Sequence, residues 1–189
     1  MASEEQIRAF LALPLASYFG EEVSPLLDVL RRQFAKIHWV SPKAIHVTLH
    51  FFGTIPLREV ARISEIVRNK TRRQAGIEVY LEGVGVFPTP SRPHVIWVGL
   101  KGEIAKLQSL QRGLEEGLKN VGFPCEERAF RPHLTLGRIK DKAASLNIDL
   151  IDFPRTTLKK ITELILYQSH LAPDGPRYEV LETYPLSAS

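Results

Sequence analysis

Two short segments of the chain repeat one pattern of residues that is suited to acid–base chemistry. Residues 46–49 read His-Val-Thr-Leu and residues 133–136 read His-Leu-Thr-Leu, and each segment closely follows a proline, Pro42 or Pro132. Because histidine titrates near neutral pH, a neutral histidine can remove a proton from water while a protonated one gives a proton to a departing oxygen. Two histidines are therefore sufficient for the cleavage of a phosphodiester.

The threonines of the two segments supply hydrogen-bond donors at a fixed distance from the histidines. Both segments have the pattern of β-strands, in which successive side chains point to opposite faces. His46 and Thr48 then share one face, as do His133 and Thr135, and the two residues of each pair lie about 6.6 Å apart along the strand. Threonine hydroxyls can donate hydrogen bonds to phosphate oxygens on which negative charge accumulates. We predict that the two strands lie side by side across a cleft.

A zinc site is the main alternative use of two histidines, because histidine is the commonest metal ligand. Such a site needs a third ligand, and neither a His-Glu-x-x-His spacing nor a cluster of acids lies near either motif. A single histidine on a strand is more often a surface residue than a catalyst, so the matched pair is what favours catalysis. We predict a site without a metal or another cofactor.

The elements that position these residues are interspersed strands and helices. Apolar periodicity predicts helices over 21–34, 56–69 and 103–120, and strands over 7–14, 45–54, 77–87, 95–100, 133–138, 158–169 and 178–186. Pro25 is expected in the first turn of the first helix. Because strands and helices do not alternate one to one, we expect an α+β protein with largely antiparallel sheets.

Length and composition limit the class of protein. A chain of 189 residues with 44% hydrophobic and 24% charged residues fits one globular domain over 1–189, or two lobes that share a core. The single cysteine, Cys125, excludes an internal disulfide and has no neighbouring base to make it a nucleophile. Without a signal peptide or a long apolar run, a cytoplasmic protein that does not enter a membrane is expected. The net charge of +4 mildly favours anionic partners.

The two motifs and their neighbours resemble the 2H phosphoesterases, and most closely the bacterial and archaeal RNA 2′,3′-cyclic phosphodiesterases once called 2′-5′ RNA ligases. That family is defined by two His-x-Thr/Ser-x motifs with apolar x positions, here HVTLHFFG (46–53) and PHLTLGR (132–138). The resemblance spans nearly the whole chain. Further landmarks follow in the family's order: Arg8-Ala-Phe with Pro14, Trp39-Val40 with Pro42, Gly85-Val-Phe-Pro88, Arg92-Pro93 with Trp97-Val-Gly99, Phe130, and Leu166-Tyr-Gln-Ser169 before Gly175-Pro-Arg-Tyr178.

The resemblance implies a bilobal α+β fold, with two pseudo-symmetric antiparallel-sheet lobes, helices packed outside and a central open cleft. It also implies metal-independent hydrolysis of RNA ends or nucleotides that carry a 2′,3′-cyclic phosphate, giving a 2′-phosphate. An open cleft in a small protein needs no second chain, so we expect a monomer. By likeness, His46 is the general acid toward the 3′ oxygen and His133 is the base for water. The residues implied to bind the phosphate and the nucleotide are Thr48, Thr135, Arg138 and Phe51.

Strict alternation along a strand conflicts with two of these positions. It places Arg138 on the face opposite His133, and it places Phe51 on the face opposite His46. Either the second strand ends or bulges near Gly137, or the arginine side chain reaches around the strand.

Other residues are weaker candidates. By alternation His50 shares the face of His46, where it lies at the cleft rim or in solvent. Arg131, beside the second motif, is a possible source of positive charge for RNA. Trp97 and Tyr167 are able to stack on a base, although core packing is the favoured interpretation for both. Three further histidines are interpreted as structural or exposed: His38, His94 and His170.

Two other functions remain open on these residues. The first is the joining of RNA ends through a 2′-5′ bond, which is the reverse chemistry on the same fold. The second is a non-catalytic module that binds nucleotides or RNA. Paired histidines argue against the second, because binding alone does not require two acid–base groups.

Overall fold

The structure is a computed structural model, and it describes residues 4–126, 128–139, 151–172 and 175–186. In these ranges the chain forms nine strands and three α-helices. The strands are β1 (Gln6–Pro14), β2 (Ile37–Trp39), β3 (His46–Pro56), β4 (Ile77–Thr89), β5 (Arg92–Gly102), β6 (His133–Ile139), β7 (Lys159–Ile161), β8 (Glu163–His170) and β9 (Arg177–Pro185). The helices are α1 (Ala16–Gln33), α2 (Glu59–Thr71) and α3 (Ile104–Lys119), and a short 3₁₀ turn spans Pro42–Ala44.

The strands form two antiparallel sheets, each of which carries one of the two motifs. The four-stranded sheet has the order β3-β1-β8-β9, and the five-stranded sheet has the order β2-β6-β5-β4-β7. His46 begins β3 and His133 begins β6, and these two strands contact each other. In each sheet the motif strand pairs with the strand that precedes the intervening helix, β1 before α1 and β5 before α3. The predicted α+β fold with two antiparallel sheets is confirmed.

The helices bury apolar stripes against the sheets, as their sequence periodicity predicts. In α3 the buried apolar residues recur every three or four positions, at Leu107, Leu110, Leu114 and Leu118. α3 contacts β3, β4 and α2, whereas α1 contacts β2 and the 3₁₀ turn. α3 therefore packs directly behind the strand that carries the first motif. None of the helices in the described ranges is long and apolar enough to cross a membrane.

Several boundaries differ from the predicted ones, and two of these differences change how a segment is interpreted. The first helix begins at Ala16, so Pro25 lies inside it and not in its first turn. Pro25 is exposed, and water can solvate the carbonyl that its ring leaves without a partner.

The region predicted as one strand over 158–169 forms β7 and β8, which belong to different sheets. The break falls at Thr162, whose backbone N–H donates to the Tyr18 hydroxyl over 3.2 Å. Because Tyr18 lies on α1, far away in the sequence, no local pattern predicts this break.

Candidate active site

A β-bulge at Leu136, the last residue of the four-residue second motif, turns Arg138 to the side of His133. β6 pairs with β5 in register at His133 and Thr135 and again from Gly137, but Leu136 has no partner on β5. The extra residue shifts the alternation, so that Leu136 and Gly137 are both buried while Arg138 is exposed. Arg138 does not reach around the strand; the structure shows a bulge at Leu136, one residue before Gly137. Arg138 therefore shares a face with His133 and Thr135.

The first motif also contains a β-bulge, at Leu49. Leu49 has no partner on β1, while Thr48 and His50 on either side of it are paired. Leu49 and His50 are both buried, and Phe51 is 49% exposed. Phe51 therefore shares a face with His46 and Thr48, and the conflict with strict alternation disappears. We call the face of β3 and β6 that bears the two histidines the site face.

The prediction that His50 shares the face of His46 is wrong, because the bulge at Leu49 reverses the alternation between them. His50 is 4% exposed and lies between β3 and α3, with its Nδ1 2.8 Å from Glu115 Oε1. Gln111 of α3 donates to the same carboxylate oxygen over 3.2 Å and to the Leu49 carbonyl over 3.4 Å. A side chain of α3 is therefore hydrogen-bonded to the bulged backbone of β3, on the side opposite the two histidines.

Backbone carbonyls fix the tautomer of both candidate catalytic histidines. His46 Nδ1 lies 2.7 Å from the carbonyl oxygen of Ala44, and His133 Nδ1 lies 2.7 Å from that of Arg131. A carbonyl only accepts hydrogen bonds, so Nδ1 carries the proton and donates in both rings. Nε2 is then the titrating nitrogen, which accepts a proton when neutral and donates one when charged. The two rings thus offer one equivalent acid–base atom each.

Aromatic side chains surround His46. Its ring centroid lies 4.9 Å from that of Phe10 and 5.2 Å from that of Tyr178, which meets it edge-on. Burial lowers the pKa of His46 below its ordinary value, and the positive charges of Arg138 and His133 lower it further, against the opposing effect of the backbone hydrogen bond. Because residues of the other sheet influence this pKa, the two halves of the site are electrostatically coupled.

His133 has a similar aromatic wall on the five-stranded sheet. Its ring centroid lies 5.0 Å from that of Phe87 and 6.3 Å from that of Trp97, and these two aromatic rings stack at 5.2 Å. The indole of Trp97 covers Gly85, where a Cβ atom would come within 2.1 Å of the ring. Burial lowers the pKa of His133 also, and the charge of Arg138 adds to the effect. Both histidines are therefore predominantly neutral at pH 7 in the free protein.

Trp97 and Tyr167, for which core packing was the favoured interpretation, lie at the edge of the site instead. Both are half-buried: Trp97 lies beside His133, and Tyr167 stacks on Phe10 at 5.2 Å. Phe10 is itself buried, so Tyr167 extends the aromatic cluster around His46 toward the surface.

The site face collects positive charge and free hydrogen-bond donors. Among the described residues, no carboxylate forms an ion pair with Arg138, and the hydroxyls of Thr48 and Thr135 have no hydrogen-bond partner. A guanidinium and two hydroxyls are therefore available to an anionic ligand.

Arg8 of β1 lies beside the site face, although in the sequence it is only a landmark of the resemblance. Its guanidinium lies 4.8 Å from the centroid of the Phe51 ring. Burial raises the pKa of the Tyr178 hydroxyl, and the charges of Arg138 and Arg8 both oppose that rise, so the two arginines lie near the same ring. The available signal was alternation on β1, where Arg8 shares its side with Phe10.

The remaining histidines lie outside the pair. His38 is exposed and stands opposite Arg138 in the register of β2 with β6. His94 is exposed, and His170 is exposed with its Nε2 2.9 Å from Glu179 Oε2. These three agree with the interpretation of structural or exposed residues.

Two other candidates have no direct place in the site. Arg131 is exposed, and the structure shows it acting on His133 through its backbone carbonyl. Burial raises the pKa of the Cys125 thiol to about 11, and a hydrogen bond to Glu115 and the charge of its carboxylate contribute to the rise. Such a thiol is a poor nucleophile at neutral pH.

Known sequences place the chain in a family. The sequence model of the 2′-5′ RNA ligase superfamily matches residues 20–164. The RNA 2′,3′-cyclic phosphodiesterase of Methanothermobacter thermautotrophicus is 34% identical over 186 residues, which cover 96% of this chain and 100% of that protein. The RNA 2′,3′-cyclic phosphodiesterase of Thermotoga maritima is 31% identical over 178 residues, 93% of each chain.

Solved structures share the fold. TT0787 of Thermus thermophilus superimposes with a TM-score of 0.80 at 27% identity, covering 95% of this chain and 98% of the other. LigT of E. coli complexed with 3′-AMP superimposes with a TM-score of 0.75 at 25% identity, covering 97% and 99%. The two-sheet arrangement is thus common to this chain and to a protein that binds a nucleotide.

Proposed function

Because the chain belongs to the 2′-5′ RNA ligase superfamily, we propose that it is an RNA 2′,3′-cyclic phosphodiesterase that opens a terminal cyclic phosphate to a 2′-phosphate. The observation that carries the proposal is the matched pair of histidines. In each, Nδ1 is bound to a backbone carbonyl and Nε2 is left as the titrating atom. A binding module needs neither a fixed tautomer nor two acid–base groups.

The reaction proposed here is an in-line displacement at phosphorus. Neutral His133 accepts a proton at Nε2 from a water molecule, whose oxygen forms the new bond to phosphorus. Protonated His46 gives its Nε2 proton to the 3′ oxygen as the bond between phosphorus and that oxygen breaks. The products are a 2′-phosphate and a 3′-hydroxyl, and exchange with solvent restores both histidines.

The hydrogen-bond donors of the site face stabilise the phosphate. The hydroxyls of Thr48 and Thr135 donate to the non-bridging oxygens, and the Arg138 guanidinium offers a charge-assisted contact. Phe51, with Arg8 against its ring, provides an apolar surface next to these donors for the nucleoside. These roles are consistent with the absence of competing partners for the three donors within the described residues.

Substrate binding also favours the protonated form of His46, which is the form that acts as the acid. In the free protein burial and Arg138 keep the pKa of both histidines low, which suits the base His133. A bound phosphate brings negative charge to the same place and raises the pKa of His46, so that a protonated acid is present when the substrate is bound. Metal ions have no part in this scheme.

The experiment that tests the function uses a short RNA ending in a 2′,3′-cyclic phosphate, with a chelator present. Wild type, His46→Ala and His133→Ala are compared, with the exposed His94→Ala as the matched control. We expect a 2′-phosphate product, losses of about 10²-fold or more in both site variants, and activity near that of wild type in the control. A 3′-phosphate product contradicts the proposed bond cleavage, and no conversion by folded wild type contradicts the proposed activity.

We propose further that one chain over 1–189 acts alone. Both motifs and both site arginines come from the same chain, so the reaction needs no second subunit. Light scattering on the purified protein should then give the chain mass of 21.4 kDa. A stable dimer at assay concentration is the contrary result.

A further inference from the structure

A second group of reactive side chains lies behind the first motif, on the face of β3 opposite the site face. His50 of β3, Glu115 of α3 and Cys125 in the segment after α3 place one imidazole nitrogen, a carboxylate oxygen and Sγ within 4.8 Å of one another. In the described part of the chain this is the one such group of three potential metal ligands. None of the three belongs to the proposed catalytic machinery.

Two atoms of this group are buried without a hydrogen-bond partner. The His50 side chain is 2% exposed, and its Nε2 has no partner, although its Nδ1 contacts Glu115. The second carboxylate oxygen of Glu115, Oε2, is likewise buried and unpartnered. Buried polar atoms are normally satisfied, and each exception asks for an unseen partner. The Oε2 lone pairs are open to a cation, and His50 turns a lone pair toward the same cation at Nδ1 once the ring proton moves to Nε2.

The group opens onto a cavity of about 400 Å³. Glu115 and Cys125 line this cavity together with Gln111, Arg112 and Arg128. An ion therefore has a path to Glu115 and Cys125, and His50 lies directly behind Glu115, with its Nδ1 2.8 Å from Oε1.

We propose that His50, Glu115 and Cys125 form a zinc site that ties α3 and the segment following it to strand β3. Thiolate, imidazole and carboxylate are all ligands of Zn²⁺, and three of them leave the fourth tetrahedral position to water. The charges also match, because a thiolate and a carboxylate together balance the charge of the ion.

The distances fit with small movements. Zinc–ligand bonds of about 2.0 to 2.3 Å separate the ligands of a tetrahedral site by about 3.3 to 3.6 Å. His50 Nδ1 and Glu115 Oε1 are already 2.8 Å apart, and the whole group lies within 4.8 Å. Rotation of Glu115 and Cys125, both partly exposed, closes the difference.

The chemistry of binding is an exchange of protons for the ion. In the metal-free protein the high pKa of the Cys125 thiol keeps it protonated at neutral pH. Zn²⁺ forms a bond to the sulfur, and the thiol proton passes to solvent, so binding weakens as the pH falls. No redox change occurs.

The site would stiffen the backbone that carries the first motif. His50 directly follows the bulged residue Leu49, and Glu115 also accepts a hydrogen bond from Gln111, which holds the Leu49 carbonyl. An ion on His50 and Glu115 therefore fixes the segment that places Thr48 and Phe51 on the site face.

Cobalt is the probe for the test, because Co²⁺ occupies zinc sites and absorbs light. Protein stripped with a chelator is titrated with Co²⁺ and then with Zn²⁺. We expect one Co²⁺ per chain, a thiolate-to-cobalt band in the near ultraviolet, and loss of that band when Zn²⁺ displaces Co²⁺. Cys125→Ser should lack the band, and Glu115→Gln should bind Co²⁺ at least about tenfold more weakly. Glu116→Gln, the next residue on α3 and also at the cavity, is the matched control and should bind as wild type does.

A second measurement does not depend on the absorbance of bound cobalt. Equimolar Zn²⁺ should slow the alkylation of Cys125 at least about tenfold in wild type and in a His46→Ala, His133→Ala double variant, but not in Glu115→Gln. Unchanged alkylation in wild type, or the absence of saturable Co²⁺ binding at micromolar concentrations, overturns the zinc site. Since neither measurement uses hydrolysis, failure of the zinc site is distinguishable from failure of the proposed function.

Discussion

Replacing Arg138 by glutamine should weaken turnover and also move its pH dependence toward alkaline pH. In the free protein burial and the Arg138 charge hold the pKa of both His46 and His133 below the ordinary value of 6.5. The profile of kcat/KM reports these free-enzyme values, so the optimum of wild type should lie below pH 6.5. Removing the charge lets both pKa values rise, and both limbs of the bell then move to higher pH.

The size of the loss follows from the contact that Arg138 can make. A hydrogen bond to a charged group contributes about 1.5 to 3 kcal/mol, and Arg138 has no competing carboxylate among the described residues. At about 1.4 kcal/mol per factor of ten, kcat/KM should fall roughly 10- to 150-fold at the optimum of each variant. Arg138→Lys keeps the charge and loses the fork of donors, so it should lose activity with little change in the profile.

The assay measures initial rates on the cyclic-phosphate RNA from pH 4.5 to 9, with Arg131→Gln as the matched control. Arg131 is exposed and adjacent to the second motif, and its backbone carbonyl remains in the variant. An Arg138→Gln profile that superimposes on that of wild type, or that moves to lower pH, contradicts the effect of the Arg138 charge on the two histidines. An equal shift in Arg131→Gln would attribute the effect to net charge alone.

Three further results are expected. Because the folded-state pKa values of His46 and His133 are lowered, the unfolded chain binds more protons below about pH 6.5, and the free energy of unfolding should decrease as pH falls from there through the folded-state values. Urea unfolding at several pH values should show a smaller decrease in a His46→Gln, His133→Gln double variant, and an equal decrease would contradict the assignment. Gly85→Val should displace the Trp97 indole and lower kcat/KM at least about tenfold, whereas Gly113→Ala, where the nearest atom is 3.8 Å from a Cβ, should have little effect. In Cys125→Ser, which lacks one ligand of the proposed zinc site, excess chelator should change turnover by less than about twofold, since general acid–base catalysis by histidine needs no metal. A complete loss in this variant that zinc restores would refute the metal-free mechanism.

Much of the site followed from local patterns. Alternation within each four-residue motif places His46 beside Thr48 and His133 beside Thr135, and the structure keeps both pairs on the site face. The α+β class followed from the irregular order of apolar periodicities. These features depend on neighbours in the sequence, which is why the sequence specifies them.

The predictions that were wrong concern segments in which one local sequence pattern is compatible with two structures. Leu49 and Leu136 resemble ordinary inward-facing strand residues. The conflict over Arg138 indicated a bulge near Gly137 as one alternative, whereas nothing in the sequence marks Leu49 as bulged. The bulge at Leu49 is held by Gln111, which lies 62 positions away, so its effect on His50 was beyond any local rule. The break at Thr162 likewise depends on Tyr18, 144 positions away.

The bulge at the last residue of each four-residue motif is one residue without a partner on the neighbouring strand. Deleting Leu136 would remove this extra residue and leave Gly137 opposite Ile96 and Arg138 opposite Val95, so Arg138 would stay on the side of His133 and Ile139 would stay in the core. Deleting a paired residue of either motif would instead exchange the faces of the residues on one side of it. When relatives of this chain are aligned, a one-residue gap at Leu49 or Leu136 is therefore compatible with the same site, while a one-residue gap at a paired position of either motif implies a rebuilt site.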